Sequence, residues 1–378
     1  MNVLAFLWLL PLDRRSVMLA FGLIPSDPSI RSILTAMFAH ADVFHLAWNM
    51  LFLWLFGPNV EDVLGRLEYT IFYFGSGFAA SLLHVVVVHT FTPAASYVPV
   101  VGASGAIAGI LGIFAIRFYK TGIRIFWYLG IFFYPLRWGT FTIPAVIGLG
   151  IWFLQQLAGG LMSIVNPEAG GVSYWSHIGG MVFGMLLAYA LGMGAEASKE
   201  YLMTGAMSSM EQGTTWSAAE NLRALLERDP ENAEAHGELA KTYAMQQDSD
   251  RAISHFRQSI NLHLRKGERE KAVVRFAELR HYYRNVHLDL RAEYQLARYL
   301  IEAECYSPAL QILEDIASTY PGTPEAEVAL MKSGDLYLNM LGDPGRAVEF
   351  YERFLREYPH STYRAKIEKS LAEARAAL

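Results

Sequence analysis

The sequence predicts an all-α protein in two parts: a polytopic bundle of six transmembrane helices, then a soluble α-helical repeat domain. Three observations predict it. Five long runs before about residue 195 lack Asp, Glu, Lys and Arg, charge becomes frequent only from Ser217, and a small-then-large side-chain pattern recurs through the charged half. The averages over 378 residues, 53% hydrophobic and 18% charged, are too apolar for one soluble protein and conceal this division. A net charge of −5 offers no basic surface for nucleic acid. Cys305, the single cysteine, forms neither an internal disulfide nor a metal cluster, so no metal or cofactor is expected and the soluble half suits a reducing compartment.

A helix needs about 20 apolar residues to cross the hydrocarbon core. Val43–Val60, Tyr69–Phe91, Val98–Ile116, the centre of Trp138–Val165, and Trp175–Gly194 satisfy this. Met1–Leu12 is apolar but short, and is read as a first span that lacks its outer end, which makes six. Ile125–Leu136, aromatic and flanked by Arg124 and Arg137, is expected to lie at the membrane interface. Residues 1–194 thus form the membrane domain, 195–214 a Gly-, Ser-, Ala- and Met-rich linker, and 215–378 the repeats. Arg66, Arg117, Lys120, Arg124 and Arg137 fall in the connections after the second and fourth spans, whereas those after the third and fifth carry no Lys or Arg. Arg14, Arg15 and Arg31 weaken the bias without reversing it. The C-terminal half is therefore placed in the cytoplasm, and the compact plan suggests a bacterial inner (plasma) membrane.

Polar side chains are costly in hydrocarbon, so those near the starts of apolar runs carry information. His45 with Asn49, Ser104, and His177 stand at the starts of the second, fourth and sixth spans, which run in one direction and so bring them to one depth. His45 and Asn49 lie four apart on one helix face. Ser104 opens its helix, where free backbone N–H groups favour a developing anion. Gly102, Gly105, Gly109, Gly180 and Gly184 permit the close helix packing that a serine–imidazole hydrogen bond requires. The expected chemistry is a dyad in which His177 takes the Ser104 proton, while His45 and Asn49 stabilise the oxyanion. No Asp or Glu is placed to orient His177.

His45-Leu-Ala-Trp-Asn49, Gly102-Ala-Ser104-Gly105 and Ser176-His177-Ile-Gly-Gly180 with Gly184 make residues 1–194 resemble the rhomboid family of intramembrane serine proteases. The resemblance implies Ser104 as nucleophile, His177 as base, and His45 and Asn49 in the oxyanion site. It also implies membrane-anchored protein substrates cut at or just inside the bilayer surface. Gly57–Gly65 resembles the family's segment after the second span and is read as structural. Two departures stand out: Ala108 occupies a position where some members carry a tyrosine, and no Trp-Arg pair lies between Asp13 and Arg31. The alternative is a catalytically inactive membrane scaffold; a solute transporter would show an inverted repeat of spans, which is not seen. His40 is expected to brace the first loop, His84 and His89 to face lipid or a loop, Gln155 and Gln156 to make a helix–helix hydrogen bond rather than line a water path, and Glu61 with Arg66 to form an interfacial pair.

In the second half Ala218, Leu222, Leu225 and Pro230 recur as Ala252, Phe256, Ser259 and Leu264, then as Ala309, Leu313, Ile316 and Pro321, then as Ala347, Tyr351, Phe354 and Pro359. The small residue allows close helix packing and the large ones fill the groove. With Leu239, Ala240 and Tyr243, this resembles tetratricopeptide repeats, about four helical hairpins. Such repeats imply a protein or peptide partner on a concave face; a purely stabilising or dimerising solenoid is the other option.

Overall fold

The computed structural model describes residues 1–131, 134–166 and 173–378. The connection of the charge argument at 167–172 lies outside the described residues. Contacts divide the chain into two units, Met1–Ser198 and Lys199–Leu378.

The first unit opens with three short helices, α1 (Asn2–Leu9), α2 (Arg14–Phe21) and α3 (Ile30–Ala36). Two long apolar helices follow, α4 (Val43–Leu64) and α5 (Arg66–Phe91), then α6 (Ser104–Arg117), α7 (Ala145–Val165) and α8 (Tyr174–Ala190). Asp42 caps α4 by accepting a hydrogen bond from the His45 N–H at 2.8 Å. Among the described residues α4, α5 and α7 are long and apolar enough to cross a membrane. Their outward faces carry Trp48, Trp54, Leu67, Ile71 and Leu154, all exposed, as a lipid solvent would require.

Helix α6 is the centre of the unit, buried continuously from Gly105 to Ala115. Its neighbours are α4, α5, α7 and α8. Because α6 has only 14 residues, it spans about 21 Å, short of the hydrocarbon thickness of about 30 Å. The run expected to be helical from Val98 becomes helical only at Ser104. Leu23 and Val100 exchange backbone hydrogen bonds of 2.9 and 2.8 Å, and the Gly102 N–H donates to Ala36 O at 2.8 Å. The segment before Ser104 is thereby held by chain that precedes α4.

One departure from an all-helical membrane unit is an antiparallel hairpin, β1 (Gly122–Ile131) with β2 (Tyr134–Pro144). It covers the segment expected at the membrane interface and delays the helix of the fifth expected span to Ala145. The run Ile123-Arg-Ile-Phe-Trp127 and its partner Trp138-Gly-Thr-Phe-Thr-Ile143 are β-branched and aromatic, which favours strand over a short helix.

The stretch read as a linker is also different: α9 runs from Met193 to Glu211. Gly192, at φ +67°, ends the preceding turn. Beyond it Ala, Met, Glu and Lys, all good helix formers, outweigh the glycines and serines. Ala197 and Ala206 are fully buried.

The second unit continues with α10 (Thr215–Arg228), α11 (Ala233–Met245), α12 (Ser249–Arg265), α13 (Arg269–Tyr282), α14 (Leu290–Glu302), α15 (Tyr306–Thr319), α16 (Pro324–Asn339), α17 (Pro344–Glu357) and α18 (Arg364–Ala376). Asn232, Asp248, Asp289, Thr323 and Asp343 cap five of these helices through side-chain oxygens. Each helix packs on the next. The repeat positions form the core: Ala218, Ala252, Ala309 and Ala347 are wholly buried, and Leu222, Phe256, Leu313 and Tyr351 lie one turn further along the same faces, also buried. The irregular stretch after Arg265 still supplies helix α13, whose Arg275 is buried against Glu234, Glu238 and Glu278 at 2.5–2.9 Å.

A histidine pair bridges α11 and α12, with His236 Nδ1 and His255 Nδ1 at 2.8 Å and Tyr243 stacked on His255. The His236 Nε2–H donates to Pro230 O at 3.1 Å, so its Nδ1 is the acceptor for the His255 Nδ1–H. Burial, the neighbouring His236 and the Arg251 cation lower the His255 pKa to about 4, against an ordinary imidazole value of about 6.5. The unfolded chain therefore binds more protons between about pH 6.5 and 4, and folded stability falls as pH falls through that window. Thermal unfolding of the full chain is expected to show a falling midpoint over this range, and a shallower fall in His255→Gln. Equal slopes in the two proteins would exclude the pair as the source.

Candidate active site

The elements that start together define the site. Helices α6 and α8 pack in parallel and in register, because a Cβ on Gly180 would strike Gly105 O and one on Gly184 would strike Gly109 O. Gly112 lies equally close to the backbone of Met181. This glycine ladder lets the two backbones touch, and it sets the first turn of α8 beside the first turn of α6. His177 and Ser104 occupy those turns.

The Ser104 Oγ–H donates to His177 Nε2 at 2.8 Å. On the other side of the ring, the His177 Nδ1–H donates to Gln156 Oε1, also at 2.8 Å. Trp152, one turn before Gln156 on α7, packs on the imidazole with ring centroids 5.8 Å apart. Ala108 leaves the space beside His177 without an aromatic ring from α6, and Trp152 provides one from α7.

His45 and Asn49 arrive from the first two turns of α4. Both face Gly102: a Cβ built there would sit 2.8 Å from His45 Nε2 and 3.7 Å from Asn49 Nδ2. Gly102 also has φ +126°, a conformation that L side chains avoid, so glycine is required on two grounds. Asn49 is buried, and its Nδ2 has no hydrogen-bond partner among the described residues. A buried unpaired donor is costly unless something in the cavity accepts from it. His40 packs edge-on against the His45 ring at 5.3 Å and donates from Nδ1 to Phe38 O at 3.1 Å, a brace of the kind expected of it.

Ser104, His177, His45 and Asn49 all line one cavity of about 700 Å³ above the start of α6. His84 joins them and faces the non-helical Ser173 before α8, which meets the loop-facing half of the expectation and not the lipid-facing half. It is buried, its Nδ1 is 3.0 Å from Ser173 Oγ, and Ser173 Oγ is 2.7 Å from Ser176 Oγ. His89 is exposed, Gln155 is exposed, and Gln156 is buried. Glu61 and Arg66 form an exposed pair at 3.9 Å. Trp152, His84 and the part played by Gln156 escaped sequence reasoning; the only signal was a glutamine and a histidine inside apolar runs. Among the described residues no group of three or more His, Cys, Asp or Glu is placed to hold a metal ion.

Residues 28–194 match the profile described as a rhomboid domain, and 206–265 and 328–361 match tetratricopeptide repeats. The chain is 29% identical over 202 residues to Rhomboid protein 1, mitochondrial, of Saccharomyces cerevisiae, covering 53% of each chain. It is 28% identical over 186 residues to the Homo sapiens Presenilin-associated rhomboid-like protein, mitochondrial, covering 49% of this chain and 44% of the human one. Rhomboid protease GluP of Bacillus subtilis is 31% identical over 162 residues, covering 43% of this chain and 26% of that one. The chain thus spans about half the length of the yeast and human proteins and a quarter of the Bacillus protein. The N-terminal domain makes the chain an integral membrane protein. A bacterial plasma membrane draws no support from relatives that include mitochondrial proteins of yeast and mammals.

Proposed function

We propose that this chain, whose residues 28–194 are a rhomboid domain and whose C-terminal half carries tetratricopeptide repeats, is an intramembrane serine endopeptidase that cuts membrane-anchored proteins. The observation that carries the proposal is the 2.8 Å contact between Ser104 Oγ and His177 Nε2 inside a cavity lined by an unpartnered Asn49 amide.

In this mechanism Ser104 Oγ attacks the scissile carbonyl carbon as its proton passes to His177 Nε2. The carbonyl oxygen becomes an oxyanion, held by the Ser104 backbone N–H at the start of α6, by Asn49 Nδ2 and by His45. Collapse of the tetrahedral intermediate breaks the C–N bond, and His177 gives its proton to the leaving amine. Water, deprotonated by His177, then hydrolyses the acyl ester and frees Ser104. The chemistry is supported by the position of Ser104 at the start of α6, in a cavity of about 700 Å³ that has room for a substrate segment and water.

Fluorophosphonate labelling tests the nucleophile directly: the detergent-solubilised protein should label at Ser104 alone. Asn49→Ala removes one oxyanion donor and is expected to lower kcat by about 10²–10³-fold with little change in KM. A wild-type kcat for Asn49→Ala would take Asn49 out of the oxyanion site. The proposed role of the repeat unit is to bind a protein or peptide partner.

A further inference from the structure

We infer that Gln156 is a positioning residue that holds His177 in the one tautomer able to take the serine proton, standing where a triad would place its acid. The inference rests on the dyad reading above. Gln156, His177 and Ser104 form a line of two 2.8 Å hydrogen bonds that uses both ring nitrogens. A carbonyl oxygen can only accept, so with Gln156 Oε1 against Nδ1 the ring hydrogen resides on Nδ1 and Nε2 keeps its lone pair for the Ser104 hydroxyl. Were the amide turned to donate, the hydrogen would sit on Nε2, and the serine would face a donor instead of a base.

The surroundings restrict that choice. Gln156 is only 6% exposed, so water competes poorly for its oxygen. Trp152 is four residues earlier on α7 and therefore on the same face, and its ring packs against the imidazole at 33°. One helix thus supplies both the acceptor that sets the tautomer and the surface that limits ring rotation. A neutral amide brings no countercharge to the imidazolium that forms during attack. Its contribution is to orientation, which separates it from the carboxylate of a triad.

The test compares variants of the full chain in detergent with a membrane-anchored model substrate. Gln156→Leu removes the acceptor and is expected to lower kcat about 10- to 100-fold, within the range of general-base contributions, with KM changed by less than about twofold. The rate of Ser104 labelling should fall in parallel, and the thermal midpoint should hold. Gln156→Glu keeps an acceptor oxygen at the same reach, since even a protonated carboxyl retains a carbonyl oxygen for the Nδ1–H, and is expected to retain kcat within a few-fold of wild type. Gln156→Asn, one methylene too short to keep the contact, should behave as Gln156→Leu does and stands in for it if that variant fails to fold. A folded Gln156→Leu with wild-type kcat overturns the inference, as does a folded Gln156→Glu as slow as Gln156→Leu. Failure of the dyad reading looks different: the wild-type chain itself would neither label at Ser104 nor cleave.

Discussion

Ser104→Ala and His177→Ala are each expected to reduce cleavage of a membrane-anchored substrate by about 10⁴-fold or more, to the background of the assay. The two side chains act as one unit. Without the imidazole the hydroxyl has no acceptor for its proton, and without the hydroxyl the imidazole has nothing to activate. The double variant should therefore be no slower than either single one, although independent effects would multiply. Both substitutions only remove atoms and leave the helix contacts of α6 and α8 in place, so folding should be retained. Folded Ser104→Ala protein that cleaves at a wild-type rate would end the peptidase proposal.

The second large effect is structural. Gly184→Leu would drive a side chain into the backbone of Gly109, where nothing can swing aside, as a flexible side chain can. Helix α8 must then move off α6, and overpacking against an immovable surface costs about 3 kcal/mol or more. The expected result is loss of the folded membrane unit, seen as an early unfolding transition, and loss of Ser104 labelling, because His177 travels with α8. Gly150→Leu on α7 is the control, since a Cβ there meets nothing within 4 Å. It should fold and label as wild type does. If Gly184→Leu does the same, the glycine ladder does not set the distance between base and nucleophile.

The site was legible in the sequence to the extent that membrane insertion makes polarity expensive. His45, Asn49, Ser104 and His177 each interrupt an apolar run near its start, and alternating spans bring alternate starts to one level. Side-chain direction was not legible. His84 sits on the buried face of α5 rather than facing lipid, because helix rotation is decided by packing that a hydropathy profile does not contain. Gln156 was visible as a polar residue in the fifth run, but its partner 21 residues later depends on how α7 meets α8. The hairpin at 122–144 and helix α9 were misread for a different reason. Aromatic character between arginines indicates an interfacial location and leaves the secondary structure to the β-branched residues around it, and a Gly- and Ser-bearing stretch can still be helical when Ala, Met and Glu predominate.

The backbone pairing of Leu23 with Val100, and of Gly102 with Ala36, makes the first forty residues a splint on the loop that leads into Ser104. Serine geometry is thus underwritten by chain some eighty positions upstream, through peptide groups that no alanine scan of side chains would disturb. Natural variation or trimming around residues 20–40 is then a change to the mounting of the Ser104 hydroxyl, and belongs with the candidate site in any comparison of relatives.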